Sequence, residues 1–355
     1  MIIEEISFTN VRKIKQFSEK FSPTTTIITG KNGAGKTTVL EAIFFLLTTK
    51  SFRKAYNKSI IRKNQTRLQI KGKIKTTTKE TITITYQNNK KTIKKNNQTL
   101  KTTSKLLKET SVVCISPEEP DIIEIYKKEK IKYFDKIIFK INPNFIKTIK
   151  TYNKLLKIRN TLLENNEKTS NWDMQLAIAG IEVWGERKRF FKKIIKQQEK
   201  TEKKITKENK HTLKYSQPKT DQINEYIKNL NKDINKTKTT FGPHQDDVII
   251  LMGENPIKEH GSQGEKKLFK YILKLTEAEV LYCEKETKPI LLLDDFFAKL
   301  DDENIMKIFT FFHRKFQTII TTTTTKETAV EKRIKTEETT TIKKIKLNDK
   351  TVPVN

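Results

Sequence analysis

The order of apolar patterns predicts an α/β fold interrupted by a helical segment. Three observations carry this. Short β-branched runs and an amphipathic helix occupy the first third of the 355-residue chain; residues 118–235 switch to helical periodicity; short apolar runs then return. Strand–helix alternation on both sides of an insertion reads as one α/β domain divided in sequence. The expected organisation is an N-terminal part over 1–117, an inserted helical lobe over 118–235, and a C-terminal part over 236–355 that completes the first.

The elements follow in order. "IIEEISF" (2–8) alternates as a strand and begins at once, without a basic-then-apolar leader. "TTTIITG" (24–30) is a β-branched run closed by glycine, and "KTTVLEAIFFLL" (36–47) has the spacing of a strong amphipathic helix. Residues 66–98 alternate Ile with Lys and Thr, which predicts β-hairpins with "QNNK" as a turn. "TSVVCISP" (110–117) is a strand stopped by proline. In the lobe, stretches such as "KEKIKYFDKIIFKI" and "WDMQLAIAGIEVWGERKRFFKKII" are helices with solvated lysine faces. "DDVIILM" (246–252), "PILLLDD" (289–295) and "FQTIITTT" (316–323) restore strands. Threonine-rich tracts near 337–341 are composition bias and receive no function.

Composition narrows the classes. A 35% hydrophobic content supports a real core, while 32% charged residues make the chain very polar. The formal charge of +30 marks a candidate for a polyanion partner. Yet Lys, Asn, Ile and Thr are over-used even in turns, as an AT-rich genome would dictate, so charge alone does not assign nucleic acid. Cys114 and Cys283 form no Cys-x-x-Cys pair, which argues against a zinc site or a disulfide framework. His211, His244, His260 and His313 show no metal-ligand spacing. No apolar run reaches the ~18 residues of a membrane span, and the expected location is the cytoplasm.

"GKNGAGKT", Gly30 to Thr37, matches G-x-x-x-x-G-K-[ST] in the context that the pattern needs, with a β-run before it and a helix after it. The expected nucleotide-binding set is Gly30, Lys31, Asn32, Gly33, Ala34, Gly35, Lys36, Thr37 and Thr38. Gly33 and Gly35 let the backbone wrap a phosphate with N–H groups turned inward, and the helix start adds its positive end. Lys36 is expected to reach the β- and γ-phosphates of ATP, and the Thr37 hydroxyl to ligate Mg²⁺. "PILLLDDFFAKLD" (289–301) supplies the other half: four apolar residues suit a strand buried in a parallel sheet. Asp294 at its end is placed for the Mg²⁺ shell, and Asp295 for polarising the attacking water. The catalytic set is thus Lys36, Asp294 and Asp295, with Thr37 and Asp294 at the metal.

Downstream of the lobe, "EHGSQGEKKLFKYILKL" (259–275) puts a polar turn, Ser262, Gln263 and Gly264, before a helix marked by Leu268, Tyr271, Ile272 and Leu275. In ATP-binding-cassette ATPases a short Ser/Gly signature begins a helix and caps the γ-phosphate held by a second subunit. Together the three motifs describe an ABC-type P-loop ATPase head with an inserted helical lobe.

The chain closely resembles one family within that class, RecF, related to the structural-maintenance-of-chromosomes heads. The resemblance runs nearly end to end. It rests on "FTNVRKI", "KNGAGKTTVLEAIFFLLTTKSFR" with Ser51, Phe52 and Arg53, "SPEEPDIIE", "FGPHQDDV", "GSQGEKK", "LLLDDFFAKLD" and "QTIITTT", in family order. The chain departs from the pattern at Thr38, where the family often has Asn, at Gln245, where arginine is usual, and at Glu265, where Gln is frequent. Lys130 and Lys132 stand in a segment usually rich in arginine; lysine keeps the charge but loses the bidentate fork. The resemblance implies an ATPase that ATP drives into a head-to-tail homodimer, each nucleotide sandwiched between one subunit's phosphate loop and the other's Ser262–Gly264 signature. It implies binding to single-stranded or gapped DNA, cooperation with RecO and RecR in loading RecA, and slow hydrolysis that releases the clamp. Asp301 would lie in the loop that crosses the dimer interface.

Two rivals differ in class. A transporter-type ABC subunit would usually carry Leu-Ser-Gly-Gly-Gln and Asp-Glu-Pro, where this chain has Ser-Gln-Gly and Asp295-Phe296. A DNA-binding module that keeps the ATPase fold but has lost turnover would retain the same motifs, and only a hydrolysis measurement separates it.

Overall fold

A computed structural model of the chain describes residues 1–53, 57–208, 210–218, 220–296, 301–323 and 342–347. The chain divides into two compact units, one of 1–120, 204–207 and 263–355, the other of 121–203 and 208–262.

The first unit opens with β1 (Ile2–Val11), β2 (Ile14–Lys20) and β3 (Thr25–Thr29), followed by helix α1 (Lys36–Thr48). β4 (Arg67–Lys75), β5 (Lys79–Gln87), β6 (Lys90–Lys95) and β7 (Gln98–Thr99) come next. They form a six-stranded antiparallel sheet in the order β2-β1-β4-β5-β6-β7. The expected "QNNK" turn is there: Asn88 and Asn89 take φ of 48° and 60°, the left-handed pair a two-residue hairpin loop requires. β2 is an element the sequence reading missed. Its burial alternates poorly, so Ile14 and Phe17 alone are buried among exposed Lys15, Gln16, Ser18 and Lys20.

Helix α2 (Thr103–Glu109) and β8 (Val112–Ile115) complete the N-terminal run. β8 lies in a second, parallel sheet of order β14-β3-β13-β12-β8, where β12 is Ile290–Leu293, β13 Thr318–Thr322 and β14 Ile342–Lys346. Helix α1 touches β1 and β4 of the antiparallel sheet and β8 and β13 of the parallel one. Its Val39, Leu40, Ile43, Leu46 and Leu47 are all 0% exposed. Each such side chain contributes about 1.5–3 kcal/mol by leaving water. Gly72 is where α1 meets β4: a Cβ there would stand 2.3 Å from Leu46 Cδ2, which accounts for a glycine inside a strand.

The second unit contains α3 (Lys127–Ile141), α4 (Phe145–Glu164) and α5 (Ser170–Thr206) up to residue 203, then β9 (His211–Ser216), α6 (Ile223–Asn231), β10 (Asp247–Met252), β11 (Asn255–Pro256) and α7 (Ile257–His260). It differs from the expected 118–235 lobe in two ways. It runs on to Ser262, and it holds a three-stranded antiparallel sheet, β11-β10-β9. The physical reason is pairing: β10, expected in the ATPase part, joins β9, a strand hidden in a lysine-rich run. A buried polar network fixes the unit. Arg187 forks onto both oxygens of Asp135 at 3.0 and 2.9 Å and reaches Asp246 at 2.6 Å; Trp184 Nε1 and Tyr215 Oη also donate to Asp246. The "FGPHQDDV" block therefore serves packing here through Asp246.

The chain returns to the first unit with α8 (Gln263–Lys285), β12 (Ile290–Leu293), α9 (Asp302–Phe312), β13 (Thr318–Thr322) and β14 (Ile342–Lys346). β12 is buried at all four residues and is flanked by β8 and β13 in parallel, as the "ILLL" run predicts. β14, unforeseen, pairs with β3 along Thr25–Thr29. Of the quoted motifs, residues 297–300 and the 337–341 tracts lie outside the described residues. Among the described residues, no helix is long and apolar enough to cross a membrane.

Candidate nucleotide-binding site

The site forms where β3 and β12, on either side of β13, end at one edge of the sheet. Parallel strands leave their C-terminal ends at one edge of the sheet, where loops can hold a ligand. The loop after β3 turns through Gly33 and Gly35, with φ of 84° and 99°. Side chains rarely take these values, and at Gly35 a Cβ would also meet Ile14 Cδ1 at 2.9 Å. α1 starts immediately, at Lys36. Lys31, Asn32 and Gly33 are exposed, whereas Ala34 and Thr38 are buried beneath the loop.

Lys36 Nζ donates to the carbonyls of Gly30 at 2.7 Å and Lys31 at 3.0 Å. Its pKa is held below the usual lysine value, chiefly by burial; Asp295 and Asp294 oppose the shift, and Lys13 adds to it. A cation held at the mouth of an inward-turned loop suits an anionic ligand.

Across the loop, Asp294 is 6% exposed and accepts three hydroxyls. Thr37 Oγ1 and Thr321 Oγ1 donate to its Oδ1 at 2.9 and 2.7 Å, and Ser116 Oγ donates to its Oδ2 at 3.0 Å. Thr321 also accepts the Asp295 N–H at 2.9 Å. Asp295 holds a left-handed φ of 51° directly after this carboxylate. A hydroxyl and a carboxylate converging beside a lysine are hard oxygen ligands of the kind Mg²⁺ takes when a phosphate supplies the rest. The donor set therefore fits a magnesium–nucleoside triphosphate, with Thr37 and Asp294 as the residues that would hold the ion.

Of these, Asn32, Gly33, residues 35–38, Asp294, Asp295 and Thr321 line one cleft of about 970 Å³, together with Arg12, Lys13, Arg53, Ser59, Pro117, Glu118 and the 61–65 segment. That size suits a nucleotide-scale ligand. Ser116 and Thr321 stand in the quoted "SPEEPDIIE" and "QTIITTT" without a role read for them, and the 59–65 wall escaped the sequence reading. Threonine is common throughout this chain, so nothing in the sequence singles out Thr321; Arg12 did stand in the quoted "FTNVRKI".

The remaining expected residues lie elsewhere on the chain. Ser262, Gln263 and Gly264 are exposed, and α8 begins at Gln263, so Gln263 and Gly264 belong to its first turn. Tyr271, Ile272 and Leu275 face inward as expected, and Leu268 is half-buried. Asp301 caps α9: its Oδ1 accepts the Asn304 N–H at 2.8 Å, and its pKa lies below the usual carboxylate value, mainly through that bond.

Known proteins bear on this geometry. The model of the RecF/RecN/SMC N-terminal domain matches residues 2–346. The DNA replication and repair protein RecF of Alkaliphilus oremlandii is 32% identical, covering 91% of this chain and 93% of the relative. The protein of the same name from Lactococcus lactis is 28% identical over 91% of this chain and 93% of its own. A solved structure of the recombination mediator protein RecF with ATP, in the RecFOR pathway, superposes with a TM-score of 0.79 at 30% identity, over 91% of this chain and 92% of that one. A Smc head domain derived from Pyrococcus furiosus shares the fold, at a TM-score of 0.51 and 16% identity, over 92% and 91% of the two chains. The transporter-type alternative is not favoured by these matches, and the chain belongs to the RecF family of ABC-type ATPase heads.

Proposed function

We propose that this chain is an ATP-dependent DNA-binding protein of DNA replication and recombinational repair, acting as a slow, DNA-stimulated ATPase in the cytoplasm. The observation that carries the reading is the junction of Thr37 with Asp294, which joins the phosphate loop to the end of β12 across 257 residues of sequence. Lys36 balances phosphate charge. Thr37 and Asp294 would hold Mg²⁺, which would supply charge neutralisation at the terminal phosphates when bound. Asp295, whose N–H is held by Thr321, polarises the attacking water.

Partner and assembly follow the same family reading. Two chains associate head to tail, and Ser262, Gln263 and Gly264 of one cap the nucleotide of the other. Asp301 would sit in the loop that crosses the dimer interface. ATP favours the associated state because the closed pair binds it better than the single chain does. The dimer binds single-stranded or gapped DNA and works with RecO and RecR. DNA-stimulated phosphate release, measured against Lys36→Ala, tests the enzymatic reading. Release above that control is expected; release equal to it would leave a binding module without turnover.

A further inference from the structure

One acidic residue beside the cleft has a role that the phosphate chemistry does not require of it. Glu41 lies on α1, five residues after Lys36, and is 0% exposed. A carboxylate buried so completely persists only where cations and donors meet it. Arg12 supplies two: Nη2 to Oε1 at 2.6 Å and Nε to Oε2 at 2.9 Å. Ser51 Oγ donates to Oε1 at 2.5 Å. Arg53 Nε stands 3.5 Å from Oε2 and 3.4 Å from Glu118.

Arg12 uses its other edge on a different segment. Its Nη1 donates to the Ser59 carbonyl at 2.8 Å, and its own N–H donates to the Ile60 carbonyl at 2.8 Å. Arg62 N–H donates to the Asn10 carbonyl at 2.9 Å, and Val11 bridges Ile61. Residues 60–62 are thus held to the end of β1 by backbone bonds, and Ser59 by the guanidinium that Glu41 holds in place. The segment continues into Arg62, Lys63, Asn64 and Gln65, which line the nucleotide cleft.

The two walls of that cleft differ. Thr37 meets Asp294 on the side where strands β12 and β13 end. The side of the loop at Gly33 and Gly35 faces Lys13, in the β1–β2 turn, and Ile14, at the head of β2. With terminal phosphates at the first wall, the nucleoside end of an extended triphosphate falls to the wall formed by the β1–β2 turn and residues 59–65.

We infer that Glu41 is a positioning residue for the nucleoside half of the bound nucleotide, acting through Arg12 on the 59–65 wall. The inference rests on the nucleotide reading above. It separates two contributions to affinity: the loop and Lys36 bind polyphosphate, and the Glu41-anchored wall binds the nucleoside. Lysine at position 12 keeps the charge but cannot fork onto Glu41 and reach Ser59 together.

Calorimetric titration of the full chain with Mg·ATP and, separately, with Mg·tripolyphosphate tests this in wild type, Glu41→Gln and Arg12→Lys. In both variants the ATP Kd is expected to rise at least ~10-fold, equivalent to one decade of binding. The tripolyphosphate Kd is expected to stay within about 2-fold of wild type, by the same scale. Equal losses for both ligands would make Glu41 a support of the whole head and overturn the inference alone, as would unchanged ATP affinity in a folded variant. If Glu41→Gln does not fold, Arg12→Lys decides by the same comparison. A wild-type chain that binds neither ligand overturns the nucleotide reading and this inference with it.

Discussion

Thr321 shows how the site's chemistry depends on one side chain. Its hydroxyl donates to Asp294 and accepts from the Asp295 N–H, so both acids are fixed by a residue that is itself 0% exposed. Thr321→Val keeps the shape and removes both bonds. The Asp295 N–H then loses its partner, at a cost of about 1–3 kcal/mol. Urea unfolding is expected to show that loss, with Thr321→Ser close to wild type; a valine variant as stable as wild type would contradict the relay. His244 offers a second residue-level outcome. Its Nε2 bonds the Thr239 carbonyl at 2.9 Å, which leaves Nδ1 to accept from Tyr152 Oη at 2.6 Å. Burial is the main cause that holds its pKa below the usual 6.5. The unfolded chain therefore binds the proton more readily, so His244 contributes stability above about pH 6.5 that is lost as pH falls, with a slope of up to ~1.4 kcal/mol per pH unit. Between pH 7 and 5.5, unfolding midpoints of wild type are expected to drop more steeply than those of His244→Gln; parallel curves would sink this assignment.

What the sequence disclosed of the site follows from the same scale. Gly30–Thr38 and Asp294–Asp295 were legible because each lies in one contiguous motif whose flanking pattern could be checked. Ser116, Thr321 and the Arg12–Glu41 pair were not. Their partners are remote in sequence, and a hydroxyl in a threonine-rich chain looks like any other.

Among the elements, strong periodicity was readable and weak periodicity was not. β12 carries an unbroken apolar run and α1 a dense one interrupted by Glu41, so their positions agree with expectation. β14 reads "IKKIK" and buries Ile345 well but few of its neighbours; only its pairing with β3 defines it. β9, "HTLKYS", is likewise recognisable through β10. Helix α8 begins with the exposed Gln263 and Gly264, and the proposed assembly would use that start. Ser262→Arg introduces bulk and charge at that start without touching the phosphate loop. It is expected to leave ATP binding by the single chain within about 2-fold and to abolish ATP-driven association and hydrolysis. A variant that still dimerises with ATP would show that the signature acts within its own chain.

For the whole molecule, the formal charge of +30 and the family's replication and repair name point to DNA. Codon bias could also raise lysine content, and salt distinguishes the two. Phosphate contacts release counterions, so binding that neutralises ~6 phosphates should weaken by roughly three decades between 50 and 200 mM salt. A shallow response in fluorescence anisotropy with gapped DNA would assign most of the charge to composition instead. The association of two chains is the claim on which the rest converges. Sedimentation velocity of wild type with and without Mg·ATP, beside Lys36→Met, measures it most directly. The account predicts a doubling of mass with ATP in wild type and none in Lys36→Met; a wild-type chain that binds ATP yet sediments as a monomer would contradict it.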